Sequence, residues 1–192
     1  MTPTDAVIEW ITRPAVAQAT TRTGTGGWVA STYRGGSGHQ AKADSIRVIR
    51  EKIQGRCALV AVEYVDLDGH PWSFVHGAIQ QDDGTWKCSG GAGGGGGDRI
   101  NPNRPLPWAN LGGWGSKDFF CAGGRVHGDG IAGVRLIAPD GQSVEDRVDH
   151  GIALLIGTTA FGEQYTVELL DRSGHVTGTH FWGMPPAPGS VR

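Results

Sequence analysis

"CALVAVEYVDLDGHPWSFVHGAIQQDDGTWKCSG", residues 57–90, decides the fold. Its three runs, CALVAVEYV, PWSFVHGAI and TWKCSG, carry the branched and aromatic residues that fit a pleated, half-buried surface. Asp68 with Gly69, and Asp83 with Gly84, separate the runs and close hairpins. The stretch therefore predicts three antiparallel strands in a meander. If each turn centres on its Asp and Gly, Cys57 lies opposite Gln80 and Cys88 opposite Ile79. These two partners are adjacent and point to opposite faces, so this register keeps the two thiols apart.

Upstream of the meander the apolar spacing turns helical. Val7, Ile8 and Ile11 form a short stripe that Thr4 can cap and Pro14 limits, which predicts a brief helix. Residues 20–40 place Trp28, Val29 and Tyr33 between two glycine-rich loops, the pattern of one short strand. From Ala41 to Gln54, Ile46, Ile49 and Ile53 fall three and four apart, opposite Arg47, Arg50 and Glu51, with Gly55 at the stop. This predicts a second helix, the clearest in the chain. Residues 1–90 thus read as a helical plus β-meander module.

Downstream, residues 91–118 read as a connector. "KCSGGAGGGGGDR" and "INPNRPLPWANLGGWG" hold the glycines and prolines that interrupt regular structure. Over 119–183 the alternation of strand and turn returns in GVRLIAP, QSVEDRV, IALLIG, YTVELLD and HVTGTHFW. Five short strands at this spacing predict a small β-sandwich-like module. Residues 184–192 read as a loose tail. The fold class is α+β, mostly β.

Charge and composition exclude several partners. The 192 residues include 17 basic and 19 acidic side chains, with a pI near 6.4, which gives no electrostatic footprint for nucleic acid. No apolar run reaches the roughly 18 residues of a membrane span. The start MTPTDAVIEWITRP has acids and a proline where a secretory leader needs a basic start and an unbroken apolar run. The chain reads as cytosolic, and its three cysteines as free thiols.

Candidate chemistry is sparse. GAGGGG from Gly91 spells a dinucleotide-binding pattern, but Asp98, Pro102, Pro105 and Pro107 leave no helix to hold a pyrophosphate, and the tract has no lysine for a Walker loop. It reads as a linker, and no cofactor is expected. His175 and His180 sit an odd separation apart in one strand, no CxxC or HExxH occurs, and no metal is expected. "DLDGH" from Asp66 begins like a calcium loop but has Gly77 where the closing glutamate belongs. The flanks of Ser37, Ser89 and Ser116 fail the nucleophile-elbow pattern. Glu145 and Asp146 point both ways from one strand, as at a solvated edge. "RINPNRP" from Arg99 spells an RxxPxxP ligand pattern. Trp72, Phe74, Trp86, Trp108, Trp114, Phe119 and Phe120 cluster in sequence as core or as a contact surface.

The stretch from Gly124 to His180, above all GVRLIAPDGQSVEDRVDHGIALLIG and YTVELLDRSGHV, resembles a β module that recurs in actinobacterial proteins. The resemblance implies a β-sandwich-like fold and brings no catalytic residue. The N-terminal half is similar in element order to cone-shaped α+β folds of the nuclear-transport-factor-2 type, which implies an apolar pocket. Three functional readings follow. The first is a non-catalytic binding or regulatory protein that contacts a protein partner. The second is a small hydrolase or transferase with a thiol or imidazole between the modules, drawn from Cys121, His127 and His76. It requires a partly exposed Cys121 of lowered pKa with His127 in reach. The third is a carbohydrate-binding module, which requires Trp108 and Trp114 open to solvent and coplanar.

Overall fold

A computed structural model describes residues 1–23, 28–34, 36–96, 106–115, 119–158 and 164–183. In chain order the elements are α1 (Pro3–Thr12), β1 (Val16–Thr23), β2 (Trp28–Arg34), a 3₁₀ turn (Ala43–Ser45), β3 (Arg47–Gln54), β4 (Cys57–Val65), β5 (Pro71–Gln80) and β6 (Trp86–Gly96). They continue with β7 (Trp108–Gly115), β8 (Phe120–His127), β9 (Gly133–Ile137), β10 (Ser143–Arg147), β11 (Ile152–Gly157), β12 (Gln164–Leu170) and β13 (Val176–Gly183). Among the described residues the protein is mostly β with one α-helix, and all pairing between these strands is antiparallel.

Helix α1 starts at Thr2 and not at Thr4. Thr2 Oγ1 accepts from the Asp5 amide at 3.1 Å, and the Thr2 amide donates back to Asp5 Oδ2 at 2.8 Å, a reciprocal cap with Pro3 at the first helical position. Val16–Thr23 pairs antiparallel with Trp28–Arg34, two strands where one is predicted. The helix predicted for 41–54 is not formed. After the short 3₁₀ turn, Arg47–Gln54 pairs with β4 as an edge strand.

The predicted meander forms as β4, β5 and β6, in the order β3-β4-β5-β6. Its turns are one residue longer than the Asp and Gly pairs suggest. Asp66 N donates to His70 O, and Gly69 N to Asp66 O, with Gly69 at φ 89°. This is a three-residue loop, a type I turn closed by a left-handed glycine. Gly84, Gly141 and Gly174 close three further hairpins in the same way. The longer loop moves Cys57 opposite Ile79 and Cys88 opposite Ala78. Both pairings shift by one, so the thiols still lie on opposite faces of the sheet.

The glycine tract read as a linker is strand: β6 runs to Gly96 along β5. Trp108–Gly115, expected to be irregular, is also strand, and with β8 and β11 makes the sheet β11-β8-β7. The last sheet, β10-β9-β12-β13, holds four of the five strands expected over 119–183, the fifth being β11. The tail at 184–192 and the RxxPxxP motif lie outside the described residues.

Three apolar cores stack these layers. Val7 and Ile11 of α1 meet Ala58, Val60, Val62, Tyr64, Ala78 and Cys88 on one face of the meander. The opposite face, with Cys57, Leu59, Ala61 and Val75, meets Cys121, Ile152, Leu154 and Ile156. The alternate residues Phe120, Ala122, Ala153 and Leu155 then meet Val134, Leu136, Val167 and Leu169 of the last sheet. The β7, β8 and β11 sheet is therefore covered on both faces, which explains why IALLIG is apolar throughout and buried at every position.

Small residues let these layers approach. A Cβ on Gly77 would lie 2.3 Å from Trp114 Nε1, and one on Gly124 would lie 1.9 Å from the Asn110 carbonyl oxygen. Neither space can hold an added methyl group. Gly124→Ala is expected to destabilise by about 1–3 kcal/mol, as overpacking of a close-packed core does. Urea unfolding measures this, and an unchanged midpoint would show that the two strands can move apart.

Candidate functional site

Strand alternation exposes an open edge on the meander. Along β6, Trp86 and Cys88 belong with the core under α1, so Lys87 projects from the opposite face, while Ser89 is the extra residue of a bulge and donates its hydroxyl to Gly77 O at 3.1 Å. All four nevertheless line one cleft of 650 Å³, together with Ala6, Glu9, Trp10, Arg13, Ile79 and Gln81. Residues from both faces of a strand can line one cleft only where that cleft runs along the strand's edge. Sheet order agrees, because among the described residues no strand is hydrogen-bonded to the far side of β6.

Helix α1 supplies the other wall, where its last turn brings Trp10 and Arg13 to the cleft. Arg13 pairs with Glu9 one helical turn back. Lys87 is exposed and makes no ion pair among the described residues. The half-buried indoles of Trp10 and Trp86 flank the apolar part. Burial pushes the Cys88 thiol up to about 11, although the Gly90 amide opposes this by donating to its sulfur. At neutral pH this cysteine is a small apolar group in the cleft wall.

The residues singled out from sequence lie elsewhere. Cys121 is fully buried and faces Cys57, and burial pushes its thiol well above the ordinary value. His127 ends the same strand, separated from Cys121 by six residues of extended chain, roughly 20 Å. His76 pairs with Val60 on the α1 face of the meander, while Cys121 packs against the other face. The three are not brought together, and Cys121 is neither exposed nor lowered in pKa.

Trp108 is buried and stacks on His127 at 4.9 Å, and Trp114 packs on Gly77 with Phe119 edge-on at 5.1 Å. They fill the space between sheets, so Trp108 is not open to solvent. Asp66, Asp68 and His70 bring ligand atoms within 4.8 Å of one another. Asp66 is already occupied, accepting from Trp72 Nε1 at 2.6 Å and from the His70 amide at 2.8 Å. Trp72 in turn stacks on His39 at 3.6 Å. Asp146 is not at a solvated edge: it is buried and bound by Arg50 and Lys52.

Sequence reasoning missed the cleft. Its signal was present in "TWKCSG", where apolar and polar residues alternate in the last strand of a meander, the position that leaves an edge. Among the described residues, no helix is long and apolar enough to cross a membrane. Set against protein-family models, curated proteins and solved structures, the chain matches none.

Proposed function

We propose that this protein is a non-catalytic binding protein that holds a protein partner in the cleft between α1 and β6. The observation that carries the reading is the one cleft lined by residues from both faces of β6. Open sheet edges are a hazard that folds normally cover or charge, and an edge left open beside two tryptophans fits a place where another chain docks. The buried, unbridged state of all three thiols fits a role in the cytosol.

Selection of random displayed peptides tests the reading. Peptides enriched on the wild-type protein are expected to lose binding to Ser89→Trp, which fills the cleft from an exposed position. The absence of enrichment, or retention of binding by a folded Ser89→Trp protein, overturns the proposal.

A further inference from the structure

The cleft's chemistry specifies the shape and charge of what it holds. Gln81 N donates to Thr85 O at 2.7 Å, so these two form a hydrogen-bonded pair of the β5–β6 ladder. Antiparallel pairs alternate, and Ile79 with Lys87 is the next hydrogen-bonded pair. Gln80, opposite Trp86, points its amide and carbonyl the other way: its N–H donates to Arg56 O at 2.8 Å, and its carbonyl accepts from the Arg56 side chain. Trp86 and Cys88 must then aim their N–H and C=O groups away from β5, along the cleft. Two donors and two acceptors at two-residue spacing are the template for one more strand.

Charge narrows the class of occupant. Among the described residues Arg13 pairs with Glu9, and in the turn beside the cleft Asp82 pairs with Arg56 and Asp83 accepts from Thr85. Lys87 is the exposed charge at this edge that makes no ion pair among the described residues.

We infer that the cleft binds an extended acidic segment of a partner protein, which adds to β6 as a further strand through the main-chain groups of Trp86 and Cys88. One apolar side chain of that segment lies between Trp10 and Trp86, and a carboxylate meets Lys87. This inference rests on the cleft being the binding site.

The probe is a short peptide selected on the wild-type protein, resynthesised with a single backbone N-methyl group at each position in turn. Strand addition predicts that methylation at alternate residues weakens binding at least about tenfold, some 1.4 kcal/mol, while the residues between tolerate it. Selected peptides are also expected to be rich in Asp or Glu and to bind Lys87→Glu at least about tenfold more weakly. Peptides that lose binding to Ser89→Trp yet show no alternation under methylation would overturn strand addition and leave the cleft reading intact. Selected peptides without acidic residues, or a preference of the protein for single-stranded nucleic acid over every peptide, would overturn the charge assignment. Failure to enrich any peptide would overturn both readings.

Discussion

Replacing Asp146 by alanine is expected to lower stability by about 3 kcal/mol, the scale on which removing one partner of a buried ion pair acts. For a chain of this length, that corresponds to a fall of roughly 6–12 °C in melting temperature. Asp146 sits on β10, yet its carboxylate holds two other elements, β3 and β11. Arg50 donates to both its oxygens at 2.7 and 3.0 Å, Lys52 reaches Oδ1 at 2.8 Å, and the Leu154 amide donates to Oδ2 at 2.7 Å. Arg50 and Lys52 are 19% and 26% exposed and can turn partly to water, which places the loss at the lower end of the buried-pair range. The Leu154 amide cannot turn and is left unsatisfied. Asp146→Asn keeps an acceptor for that amide and loses the charge, so it should fall between wild type and Asp146→Ala. Thermal and urea unfolding of the three proteins measure the order. If Asp146→Ala melts with the wild type, the carboxylate does not tie the layers together.

Acid is expected to weaken the fold through His76. This imidazole is buried, neither ring nitrogen has a hydrogen-bond partner among the described residues, and Phe74 packs on it at 5.6 Å. Burial pushes its pKa down to about 4, from an ordinary value of 6.5. The folded protein resists the proton that the unfolded chain accepts. Stability is therefore fully present above the ordinary value and is lost as pH falls from there toward 4. The lost contribution is about 3 kcal/mol by pKa linkage.

His76→Leu removes both the titration and the unsatisfied nitrogens. At neutral pH the variant should be at least as stable as wild type, because an apolar group replaces an unpaired polar one. Its advantage should widen as pH falls. Urea midpoints across this range give the comparison, and parallel curves for the two proteins would show that His76 finds a proton acceptor or reaches water.

The four hairpins closed by Gly69, Gly84, Gly141 and Gly174 were legible because each ends on a glycine in the left-handed conformation, beside an Asp or Ser that favours a turn. The misreading of β3 has a physical cause. Its ladder skips from Val48 to Arg50, so Ile49 is an extra residue bulged into the strand. The bulge breaks strict alternation and leaves Ile46, Ile49 and Ile53 at intervals that mimic a helix. Strands β7 and β8 were illegible for the opposite reason: Gly112, Gly113, Gly123 and Gly124 have little strand preference of their own. A Cβ on Gly113 would meet Trp182 of the last sheet, one on Gly123 would meet Val75 of the meander, and one on Gly124 would meet Asn110 of the neighbouring strand.

The site was harder to read than the fold. The alternation in Glu145 and Asp146 was visible, and Glu145 does face solvent, where it meets Arg135. Nothing near Asp146 in sequence announces Arg50, which lies 96 residues away. Cys121, His127 and His76 were chosen for reactivity, which is a property of side chains. The cleft belongs to main-chain groups at a sheet edge, and every residue carries those.

The sheet of β7, β8 and β11 has no side that meets water. Its greasy surface is shared between an N-terminal lid and a C-terminal one, and neither lid can be lifted without baring half of a core. A chain emerging from the ribosome therefore keeps this sheet sticky until β12 is made. The period of greatest danger in the life of the molecule falls before its last strands exist.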